Sequence, residues 1–221
     1  MITNLNLAAP TGTAESQLIR AVKILMEMHP ELIVNIYDGT TNEIKDWLEN
    51  GKKVENHTIE IDLTLQGKDI AEKNTILESI KMSYVEENLL IVPVNHPLAS
   101  KEALKEDELQ AVFEDVVFIN RFKGAAVQEV GYEYLDEHKI KYKKSNFTVK
   151  SLEGSVRAVA AGIGVAILPR GTVEEILPDQ IKGISLPGPG NKRQFYLAWK
   201  KGKNHSENAK ELAKILGVDI P

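Results

Sequence analysis

The chain has 221 residues, of which 43% are hydrophobic and 27% charged, and its formal net charge at pH 7 is −5. This composition is ordinary for a folded globular protein, and the negative charge argues against an extended surface that holds a nucleic-acid backbone. The complete absence of cysteine excludes disulfides, thiolate nucleophiles and cysteine-ligated zinc or iron–sulfur sites.

The sequence predicts neither a membrane span nor a secretion signal. Its longest apolar runs, such as Leu89–Val94, are far too short to cross a bilayer. Residues 1–7 lack both a basic flank and a long apolar segment, so they do not resemble a signal peptide. We therefore expect a cytoplasmic protein with no membrane partner.

Strands and helices alternate through the first half of the chain. Apolar residues at three- and four-residue spacing predict helices, and strict alternation at 59–65 predicts a strand whose solvated face carries Glu60, Asp62 and Thr64. The elements predicted here are a strand at 5–9, a helix around 18–26 that stops at Pro30, a strand at 32–37, a helix from the capping box Thr40–Glu43 to Gly51, and strands at 59–65 and 89–94.

The second half continues the alternation. The elements predicted here are a polar helical stretch near 100–109, a strand at 116–119, a helix at about 126–138, a short strand at 147–149, a helix around 152–159, a strand at 195–199 and a closing helix from 206 to 217. Such alternation is typical of an α/β protein whose sheets are mostly parallel.

The segment Arg157–Pro169 has the clearest local signature. A helix of small residues ends at Gly162, which can adopt the left-handed conformation that closes a helix. Gly164 allows a tight turn into the apolar strand that follows, and Pro169 cannot continue a strand ladder. The segment therefore predicts a helix, a turn and a buried strand in succession.

Ligands of open α/β sheets bind beyond the carboxyl ends of the strands, which selects three places in this chain. The first is Thr11-Gly12-Thr13 after the first strand, where hydroxyls and backbone N–H groups at a helix N-terminus could hold a carboxylate or a phosphate. The alternative is that Thr11 or Thr13 only caps the helix.

The other two places follow strands of the second half. Arg121, Phe122 and Lys123 come after the strand at 116–119, and the two cations either bind an anion or remain solvated loop charges. Ser151 and Leu152 begin the helix that leads into the glycine-rich segment. There Ser151 either caps the helix alone or also contacts a ligand.

Catalytic and metal sites are not predicted. The five histidines are scattered, with no pair at the i,i+3 or i,i+4 spacing of a helical metal site. The chain has no Gly-x-Ser-x-Gly nucleophile elbow, and its Gly162-x-Gly164 segment lacks the third glycine and the strand-to-helix context of a dinucleotide fingerprint. We therefore expect no enzyme activity, no metal and no cofactor.

Two motifs together resemble a known family. Residues 159–169 have the form Val-Ala-Ala-Gly-x-Gly-x-x-x-Leu-Pro, and Asn95–Ala99, with the sequence Asn-His-Pro-Leu-Ala, follows the apolar run at 89–94. In this order and at this separation they resemble the effector-binding domain of LysR-type transcriptional regulators, over essentially the whole chain. The resemblance implies two Rossmann-like α/β subdomains joined by two crossover strands, as in type 2 periplasmic binding proteins. Subdomain one would comprise residues 1–92 and 195–221, and subdomain two residues 93–194.

The same resemblance implies a function. Such domains bind a small metabolite in the cleft between their subdomains, and a homodimer passes the resulting change to DNA-binding domains. Arg121 and Lys123 favour an organic acid or another anion as the effector. The full-length protein would be a dimer or a tetramer, and it would contact DNA only through a domain that this chain lacks. By position, the effector contacts would be Thr11, Gly12, Thr13, Arg121, Phe122, Lys123, Ser151 and Leu152.

Two departures from the family pattern qualify these expectations. The winged helix-turn-helix that normally precedes the domain is absent, so we expect the chain to be part of a longer protein. Residues 52–60, between Gly51 and Asp62, look like an insertion relative to the family pattern. This insertion weakens any effector contact assigned near Gln66-Gly67. The alternative functions are a solute-binding protein of a transport system with the same fold, and an enzyme on a related two-subdomain scaffold.

Overall fold

A computed structural model describes residues 4–10, 12–121, 126–149, 151–177 and 179–221, without the side chains of residues 13, 121, 126–130, 172, 173 and 175. Contacts within the chain divide it into two units. Unit 1 comprises Met1–Val85 and Gln194–Pro221, and unit 2 comprises Glu86–Arg193. The chain therefore passes from one unit to the other twice.

The helices and strands of the described residues follow each other closely along the chain. No helix among them is long and apolar enough to span a membrane. Two short 3-10 turns, Pro97–Ser100 and Glu106–Glu108, lie between the sixth strand and the third helix. In chain order the elements are β1 (Asn4–Ala9), α1 (Thr13–Met28), β2 (Ile33–Asp38), α2 (Thr41–Asn50), β3 (Lys52–Val54), β4 (His57–Ile59), β5 (Leu63–Gln66), β6 (Leu77–Pro93), α3 (Leu109–Asp115), β7 (Val117–Arg121), α4 (Ala126–Glu137), β8 (Lys143–Val149), α5 (Leu152–Ala160), β9 (Ala166–Pro169), α6 (Arg170–Glu175), β10 (Ile181–Ser185), β11 (Lys192–Lys200) and α7 (Glu207–Ile215).

Unit 1 is built around a mixed sheet. Strand β1 pairs in parallel with β2 and with β5, and β11 pairs antiparallel with β5. The order β11–β5–β1–β2 leaves β2 at an edge. One face of the sheet packs on α1 and α7 through the fully buried side chains of Leu7, Leu18 and Leu212. Burial of this apolar surface is the main source of stability for the unit.

Helix α2 belongs to a second apolar cluster of unit 1, in which Ile44 and Leu48 pack with Ala8. The start of the helix is fixed locally. Thr40 Oγ1 accepts a hydrogen bond from the Glu43 backbone N–H at 3.2 Å, and Glu43 Oε2 accepts one from the Thr40 N–H at 2.7 Å. These two bonds confirm the capping box that the sequence predicts.

Unit 2 combines an antiparallel group of strands with a separate parallel pair. Strand β6 pairs with β9 and β10, whereas β7 pairs with β8. Adjacent residues of β6 face different apolar clusters: Leu90 packs with Phe113 of α3, and Ile91 packs with Val156 of α5. This alternation is the two-residue period of a strand that is covered on both faces.

The glycine-rich segment forms the predicted helix, turn and buried strand. Helix α5 ends at Ala160, Gly162 has φ +76°, and β9 begins at Ala166. A Cβ atom on Gly164 would lie 2.3 Å from the carbonyl oxygen of Val117. Only glycine therefore allows the turn to approach β7 this closely.

Several local predictions differ from the structure. The strand predicted at 59–65 is interrupted, because β4 ends at Ile59 and β5 begins at Leu63. Thr64 is fully buried rather than solvated, since it pairs with Ala8 on the face of the sheet that packs against Ile44 and Leu48 of α2. The polar stretch at 100–109 is not an α-helix, and α3 begins only at Leu109. The sheets are mixed rather than mostly parallel.

Candidate functional site

The loop between β1 and α1 places a helix N-terminus at the carboxyl end of β1, as the sequence predicts. Helix α1 begins at Thr13, directly after Gly12, whose φ of +113° is rarely adopted by residues with a side chain. Thr11 lies outside the described residues, and so does the side chain of Thr13. The role of their hydroxyls therefore stays a prediction.

Glu15 is an unpredicted member of this loop. Its carboxylate accepts a hydrogen bond from the backbone N–H of Gly12, three residues earlier, which is the spacing of the acidic residue in a capping box. Burial raises the pKa of Glu15, the Gly12 N–H opposes that rise, and the nearby charge of Asp38 adds to it. The Gly-x-x-Glu spacing at 12–15 is the signal that could have identified this residue.

Asp38 lies at the same edge of the sheet. It is the last residue of β2 and pairs with Ala9, the last residue of β1. Within the described part of the chain, no basic side chain forms an ion pair with Glu15 or with Asp38. The helix N-terminus that the sequence assigns to an anionic ligand is therefore accompanied by two carboxylates of its own.

Thr64 and Gln66 place polar side chains in the interior of unit 1. Both are completely buried, and Gln66 Nε2 donates a hydrogen bond to Thr64 Oγ1 at 2.8 Å. Gln66 Oε1 has no hydrogen-bond partner among the described residues. Thr64 pairs in parallel with Ala8 of β1. An unpaired buried acceptor is uncommon, so Gln66 is a further candidate for a ligand contact.

In unit 2, the end of β7 and the start of α5 lie at one edge of the β7–β8 pair. Arg121 is the last residue of β7 and pairs with Val149, two residues before Ser151. The side chain of Arg121 lies outside the described residues, as do Phe122 and Lys123. The structure thus places the backbones of Arg121 and Ser151 at a common edge. The contacts of Arg121 and Lys123 with an effector stay a prediction.

A hydrogen-bond network holds the residue before Arg121. Asn120 Nδ2 donates to the carbonyl oxygen of Ser145, and the Tyr132 hydroxyl donates to Asn120 Oδ1 at 2.8 Å. The Lys144 ammonium lies 5.2 Å from the centroid of the Tyr132 ring, an attractive cation–π arrangement. These partners are separated by 12 to 25 residues, so no local sequence pattern indicates the network.

Ser151 caps α5, which confirms the structural role that the sequence allows for it. Its Oγ accepts a hydrogen bond from the Gly154 N–H at 3.0 Å. Leu152 is only 5% exposed and packs in the core with Ile119 and Val156. A contact of Ser151 or Leu152 with an effector stays a prediction.

A separate concavity of about 470 Å³ lies within unit 1, between the end of α2, the β3–β4 hairpin and residues 200–204. None of the predicted site residues lines it. Two of its lysines already have partners: Lys200 Nζ donates to the Glu49 carbonyl oxygen at 2.8 Å, and Lys203 Nζ lies 3.0 Å from Asp62 Oδ1. The described residues contain no group of three or more His, Asp or Glu side chains that could hold a metal ion.

Comparison with known sequences identifies a family. The model of the LysR substrate binding domain matches residues 3–217. The chain is 25% identical over 178 residues to the HTH-type transcriptional regulator CysL of Bacillus subtilis (strain 168), an alignment that covers 78% of this chain and 52% of that protein. The chain spans about half the length of the curated relatives it matches.

Comparison with solved structures supports the same fold. The regulatory domain of CcmR from Synechocystis PCC6803, in complex with 2-PG, has a TM-score of 0.79 at 22% identity and covers 97% of this chain and 95% of that chain. The effector-binding domain of QuiR in complex with shikimate has a TM-score of 0.76 at 20% identity, with coverages of 98% and 96%. The predicted type 2 periplasmic-binding-protein-like fold is therefore confirmed.

Proposed function

This chain belongs to the LysR substrate binding domain family, a family of regulatory domains rather than enzymes, and on that premise we propose that it senses an anionic metabolite. The whole protein would be a LysR-type transcriptional regulator in the cytoplasm. Its DNA-binding domains would lie outside this chain.

The proposal that the effector is an anion depends on the position of Arg121. Its backbone ends β7, and Lys123 follows two residues later. The same strand edge carries the N-terminus of α5, where Ser151 is the cap. Cations and a helix N-terminus each favour a negatively charged group. Shikimate, the ligand of the QuiR domain, is itself a carboxylate.

On this proposal the anionic group of the effector is held by Arg121 and Lys123 of unit 2. The polar groups at the carboxyl ends of β1 and β5 are the predicted contacts of unit 1. Gln66 joins the set because its buried Oε1 lacks a partner in the described structure. The assigned contacts are Thr11, Gly12, Thr13 and Gln66 in unit 1, and Arg121, Phe122, Lys123, Ser151 and Leu152 in unit 2.

On this proposal regulation follows from the difference in effector affinity between two conformations of the protein. An effector shifts a conformational equilibrium only as far as it binds one state more tightly than the other. We infer that effector binding favours one conformation and that a homodimer passes this change to the DNA-binding domains. A tetramer of the full-length protein would use the same dimer as its building block.

The surface of unit 1 that best suits a homodimer combines α1 with the edge strand β2. Ile24, Met28 and Ile33 are large apolar side chains with exposures of 46%, 53% and 46%. Strand β2 ends the sheet, so one row of its backbone N–H and C=O groups has no neighbouring strand. Two copies related by a two-fold axis would bury the apolar side chains and pair the strand edges together.

Thermal unfolding in the presence of organic acids, amino acids and phosphorylated metabolites tests the anionic assignment. A ligand at 100 times its Kd stabilises the folded state by about 2.7 kcal/mol, which raises Tm by about 5–10 °C for a protein of this size. Arg121→Ala should abolish the shift. Arg157→Ala is the matched control, because the exposed Arg157 guanidinium pairs with Glu153 on the surface of α5.

Two results would contradict the proposal. If Arg121→Ala kept the full shift, the anion would be bound elsewhere. If no anion in the panel changed the Tm of the folded protein, the effector would not be an anion of these classes.

A further inference from the structure

A buried histidine ring in unit 2 contacts the loop at 186–191, which connects β10 with β11. His138 directly follows α4, and its side chain is only 6% exposed. Its Nδ1 atom lies 2.6 Å from Glu106 Oε1, and its Nε2 atom lies 3.0 Å from the carbonyl oxygen of Pro189. The ring therefore joins a carboxylate of the 3-10 turn Glu106–Glu108 to the backbone of the loop.

The loop packs closely around the end of α4. Gly188 has a φ of +75°, and a Cβ atom there would lie 2.5 Å from Cε1 of His138. The Tyr134 ring packs on the His138 ring with centroids 4.3 Å apart, and the Tyr134 hydroxyl donates to the Pro187 carbonyl oxygen at 2.8 Å. Burial raises the pKa of Tyr134. Of these two donors to the loop, only His138 can therefore lose a proton near neutral pH.

The two contacts of the His138 ring can both be hydrogen bonds only when the ring is protonated. A carbonyl oxygen and an ionised carboxylate accept hydrogen bonds and donate none, so each ring nitrogen must carry a proton. A neutral ring has a single N–H group and directs a lone pair at one of the two acceptors. Burial acts to lower the pKa of His138, but the Pro189 carbonyl and the carboxylates of Glu106 and Glu137 together raise it.

We propose that His138 is a pH-sensitive latch, which fastens the loop at 186–191 to α4 as an imidazolium and releases it when the ring loses one proton. The charged carboxylate of Glu106 is the stronger acceptor, so the remaining proton stays on Nδ1 and the proton of Nε2 passes to water. The lone pair of Nε2 then faces the Pro189 oxygen, and two acceptors repel each other. Because β11 begins at Lys192, the latch sets how firmly the start of this strand is held.

The direction of the response follows from the raised pKa of His138. The latch is closed at pH 6.5 and below, and it opens as the pH rises through the pKa of the folded state. The titratable groups that face the ring are Glu106 of the 3-10 turn and Tyr134 and Glu137 of α4, while residues 186–191 contain no titratable side chain. The latch adds a response to pH to the proposed response to an effector, and it does not depend on where the effector binds.

Nuclear magnetic resonance of the chain, labelled with nitrogen-15 in histidine and glycine, observes the ring and the loop together. In a titration from about pH 6 to pH 9, both ring nitrogens of His138 should be protonated at the acid end. The measured pKa should exceed the value of about 6.5 of an unperturbed histidine. Relaxation of the Gly188 and Gly190 amides should report an ordered loop at pH 6 and faster motion once the ring is neutral.

Two variants separate the charge from the packing. Glu106→Gln keeps an acceptor for Nδ1 without the negative charge, and it should lower the measured pKa of His138 by about one pH unit. His138→Phe keeps a ring against Tyr134 but has no donor, so the loop should be equally mobile at every pH. Asp107→Asn is the matched control, because it removes a charge from the same turn, whereas the bond to His138 comes from Glu106.

Three results would overturn the latch. A ring nitrogen of His138 without a proton at pH 6 would show that one of the two contacts is not a hydrogen bond. An unchanged pKa in Glu106→Gln would show that the carboxylate does not stabilise the imidazolium. Loop motion that stayed the same on both sides of the His138 pKa would show that protonation does not hold the loop.

Discussion

At the scale of single residues, His205 is a buried group from which we expect an effect on stability. It is 4% exposed, it packs edge-on against Trp199 with ring centroids 5.4 Å apart, and neither ring nitrogen has a hydrogen-bond partner in the described structure. Burial lowers the pKa of His205, and the ammonium of Lys203 acts in the same direction. The His205 ring is therefore harder to protonate in the folded protein than in the unfolded chain.

This difference in the pKa of His205 between the folded and unfolded states predicts that stability depends on pH. The unfolded chain binds a proton at a pKa of about 6.5, whereas the folded state binds it only at lower pH. The free energy of unfolding should therefore be highest above pH 6.5 and should fall as the pH decreases from there to the folded pKa. His205→Leu should reduce this loss between pH 7 and pH 5 in urea unfolding.

The same substitution should raise the free energy of unfolding at pH 7 by about 1 kcal/mol, because it removes a buried group with unmade hydrogen bonds. His57→Leu is the control, since His57 is exposed on β4. An unchanged pH profile in His205→Leu would show that another group causes the acid sensitivity.

At the scale of elements, the two glycines between α5 and β9 have different roles. Gly162 needs its left-handed φ of +76°, but nothing lies within 4 Å of the position of a Cβ there. Gly164 has no such requirement, but a Cβ would lie 2.3 Å from the Val117 carbonyl oxygen. That oxygen accepts the hydrogen bond from the Val165 N–H at 2.8 Å, which ties the turn to β7.

We therefore expect alanine to lower the free energy of unfolding by different amounts at Gly162 and at Gly164. Gly162→Ala should lower the free energy of unfolding by about 1–2 kcal/mol, the cost of a left-handed residue with a side chain. Gly164→Ala should cost about 3 kcal/mol or more, because backbone must move to admit the methyl group. Chemical denaturation measures both, and equal losses would contradict the close approach of the turn to β7.

At the scale of the whole molecule, the exposed apolar side chains on α1 and β2 predict self-association. Replacing both Ile24 and Met28 with lysine should shift the protein from the proposed dimer to a monomer in sedimentation experiments, because it places charges in the proposed apolar interface. The fold should persist, since both side chains are exposed and lysine is a good helix former. Ile163→Lys is the control, at an exposed apolar position in unit 2. A double variant that sedimented like the unmodified protein would contradict this assignment of the interface.

Short-range signals in the sequence predicted the features that depend on neighbouring residues. The capping box at Thr40–Glu43, the cap at Ser151 and the turn from Gly162 to Gly164 each involve contacts within a few residues or conformations open mainly to glycine. The same segment carries the motif by which the family could be recognised. These features were predictable because their energetics are local.

Only the tertiary structure decided which distant residues meet. Asp38 lies near Glu15 because β1 and β2 pair in register. Thr64 is buried because it pairs with Ala8 on the face of the sheet that packs against α2. The contact of Asn120 with Tyr132 likewise depends on how α4 packs. The sequence by itself thus determined most of the elements and the family, and it predicts the strand ends at which a ligand binds. The charge and hydrogen bonding at those strand ends were decided by strand order and register, since these bring together side chains that no local pattern connects.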